Sequence, residues 1–484
     1  MSKKSDIKSK AFSAIIWKLL ERMSAQIVSM IVSIILARML TPDDYSAVSV
    51  VAIFFIFCNV FISGGFNTAL IQKKDSDIID YSSVLFVSLG ISVILYAVMF
   101  FMAPTIAYLF EKPILVSVIR VMSLMLIVTA YKGVVCAKVS SSLKFHNFFI
   151  STIIGTIISA VVGITMASYG FGVWALVAQQ MSNAIIDSLI LTVTTKIKFK
   201  FVISIERLKG LFSYGWKMLV TSFISVLYDE TKPLIVGLRF STVDLAFYNK
   251  GKSFPQLLNS TICDSISAVL FPVIAKLQDD KEAVLSATRR FMSVSSYIVF
   301  PLLIGFFVVS DAFIEVLLTA KWLPASPYVK IFCISFVFNI IQKGNLQAIR
   351  AIGRSDIILK LEIIKKTIYF IIIALFVWIS ESPQMIAVSG IICTFIATVI
   401  NTYPNRKLIG YRYSMQIMDL LPNFLLSILM GVVVYLVGII KFSVSLLLLI
   451  QVIVGMVTYV TLSLITKNSN LKYLLDLIKE KRGK

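Results

Sequence analysis

The sequence predicts an all-α protein that crosses a lipid bilayer many times. Of its 484 residues 58% are hydrophobic, and the mean hydropathy is +0.91. Apolar runs of about 20 residues recur along the whole chain, and a helix of that length crosses a hydrocarbon core of about 30 Å. We predict about 14 transmembrane helices. They start near residues 12, 45, 81, 114, 147, 172, 211, 244, 290, 326, 358, 383, 417 and 442.

The first apolar run is predicted to be a retained helix. It lacks an A-x-A-like cleavage site and many similar runs follow it, which distinguishes it from a secretory signal. If the N-terminus is cytoplasmic, 29 Lys and Arg residues fall in segments predicted inside and five in segments predicted outside. The positive-inside rule therefore predicts that both termini are cytoplasmic and that the number of spans is even. The net charge of +21 follows from this topology and from attraction to anionic lipids, so we predict no nucleic-acid partner.

An internal repeat divides the spans into two blocks. The segment "LARMLTPDDYSAVS" (36–49) aligns at an offset of 200 with "VGLRFSTVDLAFYN" (236–249), which matches Asp44 with Asp244 and Thr41 with Ser241. Two blocks of six spans enter from the same side, so they are related by an axis along the membrane normal, with a site between them near the midplane. The predicted organisation is a first lobe at 1–200, a second lobe at 201–412, two further helices at 413–466 and a basic cytoplasmic tail at 467–484.

Twelve basic residues lie inside the predicted spans. Each costs about 2.5 to 3.5 kcal/mol at the centre of a lone helix, so it must pair with an acid, extend to the interface or line water. Half of them lie a turn or more inside a span. We predict that these six line a water-filled, cationic cavity between the lobes and bind substrate: Arg22, Arg120, Lys217, Lys232, Lys250 and Lys252.

Acidic residues also interrupt the seventh span, in the stretch "SVLYDETKPLIVG" (225–237). Asp229 and Glu230 have two interpretations. They form ion pairs with Lys232 or Lys217, or they form a proton or Na⁺ site together with Asp264 of the eighth span. Pairing is the favoured interpretation.

Enzymatic chemistry has little support in the sequence. The chain contains one histidine, His146, so a histidine metal cluster or a Ser-His-Asp triad is excluded by count. Its five cysteines lack C-x-x-C spacing and fall in apolar spans. We predict no catalytic residue, no metal site and no cofactor, apart from the proton or Na⁺ of the coupling interpretation.

Several stretches resemble a known family. They are "ARMLTPDDYSAVSV" (37–50), "FGVWALVAQ" (171–179), "GLRFSTVDLAFYNKGKSFPQL" (237–257) and "LLTAKWLPASPYVKIFC" (317–333). The chain is similar to the polysaccharide-transport branch of the MOP flippase superfamily, and in particular to Wzx-like exporters of the colanic-acid and teichuronic-acid type. The resemblance implies a MOP/MATE-like bundle of two six-helix lobes plus two C-terminal helices.

The resemblance also implies an activity. Members move undecaprenyl-pyrophosphate-linked repeat units from the inner to the outer leaflet of the bacterial cytoplasmic membrane by alternating access. The implied partners are the lipid-linked oligosaccharide, membrane lipids, a polysaccharide polymerase and other assembly proteins. A pyrophosphate suits the bidentate donors of Arg22 and Arg120, with the lysines as a supporting field. Tyr228 and Tyr248 would stack on sugar, or else belong to an interfacial aromatic belt.

Two other functions stay open. A MATE-like multidrug or cation antiporter would share the spans, but its cationic substrates favour an acidic cavity, whereas this chain embeds twelve bases against about six acids. A membrane polysaccharide polymerase or ligase would need a large outside loop with catalytic residues. The longest outside segments predicted here have only about 15 to 20 residues.

Overall fold

The computed structural model describes residues 24–63, 65–73, 76–142, 145–276, 280–440, 442–473 and 476. Within these residues the secondary structure is helical and contains no strand, which confirms the all-α class. Cα packing divides the chain into two compact units, unit 1 (Met1–Ala246) and unit 2 (Phe247–Lys484).

Unit 1 contains nine helices in the part of the chain that the structure describes, and the start of a tenth. They are α1 Ser24–Met39, α2 Pro42–Ser63, α3 Phe66–Gln72, α4 Ile78–Leu109, α5 Leu115–Met122, α6 Met125–Ser141, α7 Phe145–Ser168, α8 Val173–Thr195, α9 Ile205–Arg239 and α10 Thr242–Lys276, which continues into unit 2.

Helix α9 packs inside unit 1 against α2, α3 and α4. The ring of Phe223 lies 6.1 Å from that of Phe57 and 5.5 Å from that of Phe61, so aromatic contacts join α9 to α2. The compact unit therefore ends at Ala246, whereas the repeat places the lobe boundary at residue 200. The lobes are defined by internal repetition, and they stay a prediction.

Unit 2 is built around the long helix α11. Helices α12, α16 and α17 pack on α11, and α14 packs on α12 and α13. The two helices at 413–466, which the sequence sets apart from the lobes, thus share the core of unit 2. The helices are α11 Lys281–Leu318, a 3₁₀ turn Ala320–Ala325, α12 Ser326–Ala351, α13 Ser355–Ile379, α14 Pro383–Thr402, α15 Asn405–Leu408, α16 Tyr413–Gly438 and α17 Val444–Ile465.

Buried amides hold one end of unit 2 together. Asn345 of α12 donates to Gln416 of α16 (3.0 Å), and Gln416 donates back to Asn345 Oδ1 (3.1 Å). Asn405 of α15 donates to the same Oδ1 (2.7 Å). Each of these side chains is at most 3% exposed, so the hydrogen bonds satisfy polar groups that water cannot reach.

The described helices follow the predicted spans in order. Ten are long and apolar enough to cross a membrane, or eleven if the two parts of α9, inclined at 52°, form one span. Among the others, α1 is shorter, while α10 and α13 carry embedded charges. The chain is a multi-pass membrane protein, and the count of 14 stays a prediction. The first predicted span begins near residue 12, outside the described residues.

The internal repeat has a structural counterpart in two helix caps. Before α2, Asp44 accepts from the Thr41 backbone N–H (2.9 Å), and the Asp44 N–H donates to Thr41 Oγ1 (3.2 Å). Before α10, the Ser241 hydroxyl donates to Asp244 (2.6 Å), and the Asp244 N–H donates to Ser241 Oγ (2.9 Å). The same hydroxyl–carboxylate pair thus starts a helix at both places, as an N-cap does.

Candidate functional site: embedded charges on α5, α9 and α10

The structure places the predicted site residues on three helices. Arg120 lies on α5, four of the charged residues lie on α9, and Lys250, Lys252 and Asp264 lie on α10. Arg22 lies outside the described residues, and so does the side chain of Asp264. What can be described is therefore two separate sets of side chains, one in unit 1 and one in unit 2.

On α9, three charged residues occupy one turn. Asp229 is exposed, Glu230 is half-buried and Lys232 is 9% exposed. None of the three is without an interaction. Pro233 follows inside the helix, and since proline has no N–H, the carbonyl of Asp229 loses its usual i+4 donor. This turn therefore contains two carboxylates and a backbone carbonyl that has no i+4 N–H donor.

Lys217 is separated from this acidic turn. It lies twelve residues before Asp229 on the same straight part of α9, so about 18 Å of helix rise separates the two Cα atoms. That distance exceeds the reach of a lysine and a carboxylate, so the predicted ion pair of Lys217 with Asp229 or Glu230 is wrong. Lys217 is exposed, and no ion pair is found for it within the described part of the chain.

Arg120 is held at a helix contact inside unit 1. Its guanidinium carbon lies 4.2 Å from the centroid of the Phe100 ring on α4, and its Nε donates to the Phe100 carbonyl (3.4 Å). The side chain stays partly exposed. A cation over a ring keeps its charge while its plane is fixed, which leaves the remaining N–H groups available to an anion.

The lysines of α10 differ from each other. Lys250 is 7% exposed and its ammonium lies 5.5 Å from the centroid of the buried Trp322 ring. A Cβ on Gly251 would lie 2.5 Å from Tyr328 Cβ, so α10 packs closely on the start of α12. Lys252, the next residue but one, is only half-buried. Of the two lysines, Lys252 is the one that a solvated ligand can reach.

Tyr248 belongs to this packing and is not a sugar platform. It is 3% exposed, and its ring packs edge-on against Tyr328 (5.7 Å) and Phe332 (5.2 Å). The interpretation that it stacks on sugar is therefore wrong, because no face of the ring is available. Two stretches that carry the family resemblance, 237–257 and 317–333, thus meet in the structure, and much of their pattern serves helix packing.

Sequence reasoning missed a buried ion pair in unit 1. Lys132 of α6 donates to Asp187 of α8 at 2.5 Å, and the Asp187 carboxylate is 7% exposed. The residues are 55 positions apart, so only the packing of α6 on α8 brings them together. This pair accounts for one of the twelve embedded bases without any ligand.

A second set of ion pairs lies where α4 begins. Lys73 contacts the fully buried Asp80 (2.6 Å), while Arg207 of α9 contacts Asp77 (2.5 Å) and Asp80 (3.5 Å). Arg207 lowers the pKa of the Asp77 carboxyl, the N-cap of α4, to about 2. The spacing of Asp77 and Asp80 is a capping-box signal in the sequence, but their basic partners could be found only from the fold.

Known proteins resemble this chain in sequence. The family described as Polysaccharide biosynthesis protein matches residues 35–327. The teichuronic acid biosynthesis protein TuaB of Bacillus subtilis (strain 168) is 22% identical over 87% of each chain. The lipopolysaccharide biosynthesis protein WzxC of Escherichia coli (strain K12) is 21% identical over 84% of this chain and 83% of its own. The succinoglycan biosynthesis transport protein ExoT of Rhizobium meliloti (strain 1021) is 22% identical over 62% of this chain and 61% of its own.

Solved structures resemble it in fold. The lipid II flippase MurJ, in an inward closed conformation, superposes with a TM-score of 0.77 at 16% identity, over 96% of this chain and all of MurJ. An inward-facing multidrug resistance MATE transporter of the MOP superfamily superposes with a TM-score of 0.63 at 15% identity, over 82% of this chain and 98% of its own. These matches confirm the predicted MOP/MATE-like fold class. Since the family match covers more than half of its length, the chain belongs to the polysaccharide biosynthesis protein family.

Proposed function

We propose that this protein is a transporter that moves lipid-linked saccharide repeat units across the bacterial cytoplasmic membrane, from the inner to the outer leaflet. The observation that carries the proposal is that a polytopic chain of this family places basic side chains on α5, α9 and α10, in stretches that are otherwise apolar. The pyrophosphate headgroup of such a lipid is an anion, and it can leave water only where basic side chains replace its hydration. The prenyl tail of the lipid stays in the bilayer.

The charges of this substrate also supply a driving force. With a membrane potential negative inside, moving two negative charges outward is favoured by about 4.6 kcal/mol of free energy per 100 mV, so transport does not require a coupled ion.

We therefore propose that Asp229 and Glu230 stabilise neighbouring cations, and that a proton or Na⁺ site at this turn is the alternative. Pairing predicts that Asp229→Asn or Glu230→Gln lowers thermal stability, while transport in vesicles keeps its dependence on an imposed ion gradient. Normal stability with that dependence lost would establish coupling.

Topology is part of the proposal. Within unit 1, Asp80 contacts Lys73 and Arg207, two of the 29 basic residues in segments predicted inside. Lys112, one of the five predicted outside, contacts Asp43 (2.5 Å). These contacts support the alternation of sides, and we propose that both termini are cytoplasmic. Reporter fusions after residue 205 and after residue 475 should report the cytoplasm, and a fusion near residue 112 should report the outside.

The decisive experiment is transport by the purified protein. In vesicles that contain an undecaprenyl-pyrophosphate oligosaccharide, the headgroup should become accessible to an impermeant glycosidase over time, and only when the protein is present. A fluorescent organic cation supplied to the same vesicles tests the MATE-like function. Accumulation of the cation with no movement of the headgroup would refute our proposal in favour of a multidrug transporter.

A further inference from the structure

A cleft lined by two arginines and two acids lies at the end of unit 2 where α11 and α16 begin. It has a volume of about 580 Å³ and is open to the surface. Arg289 and Arg290 of α11 line it, together with Asp419 of α16 and Ser469, which follows α17. The two arginines lie about 12 Å along α11 from its first residue, and since this helix of 38 residues is longer than the hydrocarbon core of about 30 Å, its first turns can extend to the headgroups.

Arg289 is fixed in the cleft by Asp419, and this pairing leaves some of its N–H donors unused. Its Nε and Nη2 donate to the two oxygens of Asp419 at 2.8 and 2.6 Å, and the Tyr411 hydroxyl donates to the same carboxylate (2.8 Å). Two of the five guanidinium N–H groups are thus used, and the side chain is still 42% exposed. The other three donors have a fixed direction and are accessible.

Arg290 carries a positive charge that no acid balances within the part of the chain that the structure describes. Its guanidinium carbon lies 3.8 Å from the centroid of the Tyr473 ring, and the side chain is exposed. Because the ring covers a face of the guanidinium, its N–H edges stay free for an acceptor in their plane. Two guanidinium groups, one oriented by an acid and one by a ring, therefore border the same cleft.

The surroundings of the cleft are those of a lipid headgroup. Ile417 and Met418, next to Asp419, are 60% and 71% exposed, and Leu464 and Ile465 at the end of α17 are 59% and 70% exposed. These exposed apolar side chains, on the two helices whose ends border the cleft, suit the acyl chains of a lipid whose phosphate lies in it. Glu282 also lines the cleft, and its charge opposes any anion there, so a phosphate needs the additional apolar contacts of acyl chains to bind.

We propose that this cleft binds the phosphodiester of an anionic glycerophospholipid, such as phosphatidylglycerol, and that Arg290 is its principal contact. Arg289 adds a second donor to the phosphate, and Ser469 is available to the glycerol. The acyl chains lie along the exposed side chains of α16 and α17. The site belongs to unit 2 alone and does not depend on which substrate the protein transports.

Thermal unfolding of the purified full-length protein in micelles tests the site. Phosphatidylglycerol should raise the melting temperature by about 3 °C or more over phosphatidylcholine, because a ligand that binds only the folded state stabilises it. Arg290→Gln should remove most of this rise, and Glu282→Gln should increase it. Arg354→Gln is the matched control, since Arg354 is an exposed arginine of unit 2 that pairs with Asp356 elsewhere.

Each outcome decides between the lipid and another explanation. If inorganic phosphate at equal ionic strength produces the same rise, the cleft binds free phosphate and the lipid proposal is wrong. The proposal also fails if Arg290→Gln responds to phosphatidylglycerol as the unaltered protein does. If Arg290→Gln does not fold, Tyr473→Ala replaces it, with Tyr473→Phe as its control. The alanine variant should weaken the response, and an undiminished response would contradict the proposal.

Discussion

The helix pairs α1–α2 and α9–α10 begin their second helix with the same cap and then diverge. Thr41 with Asp44 and Ser241 with Asp244 make the same hydroxyl–carboxylate pair. Six residues after Asp44 comes the buried Val50, whereas six residues after Asp244 comes the buried Lys250. The first copy shows that a helix can be built on this cap with no embedded base. The charges of α10 are therefore not a requirement of the repeat, which is the strongest reason to assign them another role.

Charges with an acid partner should behave differently from charges without one. The buried pair Lys132–Asp187 in unit 1 is the clearest case of the first kind. Lys132→Met should lower the free energy of unfolding by about 3 to 5 kcal/mol, because the buried Asp187 carboxylate loses its partner, and Asp187→Leu should cost less, because the Lys132 side chain is 29% exposed. The double variant should recover most of that loss, as measured by thermal unfolding. Equal losses in the double and single variants would show that the pair is not a unit.

The next test asks whether Lys252 serves transport. Lys252→Gln should slow headgroup translocation about 10- to 100-fold, since a charge-assisted hydrogen bond contributes about 1.5 to 3 kcal/mol. Its melting temperature should stay close to that of the unaltered protein, because the half-buried side chain forms no ion pair among the described residues. Lys330→Gln is the matched control, as Lys330 pairs with the exposed Asp311 (2.7 Å). Full transport by Lys252→Gln would contradict the hypothesis that the charge of α10 at this position serves transport.

A third test addresses the packing that distinguishes α10 from α2. Gly251→Ala should lower the free energy of unfolding by about 1 to 3 kcal/mol, because the new Cβ would lie 2.5 Å from Tyr328 Cβ and 2.8 Å from the Ala325 carbonyl oxygen. The equivalent residue of α2 is the buried Val51, so the constraint applies to the second copy only. Gly90→Ala in α4 is the control: nothing lies within 4 Å of its Cβ, so it should be neutral or stabilising.

The smallest effect is expected at the shared caps. Asp44→Ala and Asp244→Ala should each cost about 1 kcal/mol of unfolding free energy, the usual contribution of a cap. Apart from the Thr41 N–H bond to Asp44, the two caps share their hydroxyl–carboxylate bond and their Asp N–H bond, so the two losses should agree within about 0.5 kcal/mol and add in the double variant. Thermal unfolding of the three variants measures this. A marked difference between the two single variants would show that caps of similar geometry contribute different free energies of unfolding.

The sequence predicts the helices of this fold well and its side-chain contacts poorly. Apolar runs and turn residues specify where a membrane helix starts, since the bilayer imposes its length. The pattern from Tyr248 to Lys252 is compatible with both ligand binding and helix packing, because tyrosine and lysine side chains occur in both roles. Within this stretch, Gly251 between two lysines is the residue that indicates close packing of the helix. Lys132 and Asp187 could be paired only once α6 and α8 were placed side by side.

The buried amides of Asn345, Asn405 and Gln416 have a consequence for how the two units respond to solution conditions. Every link in that network joins neutral groups, whereas the start of α4 is held by Lys73, Asp77, Asp80 and Arg207 through charge. Salt screens the exposed Arg207–Asp77 contact and leaves the amides untouched. In concentrated salt the backbone amides at the start of α4 should exchange hydrogen for deuterium faster, while those of α15 keep their protection. The local stability of the first region therefore depends on salt and that of the second does not.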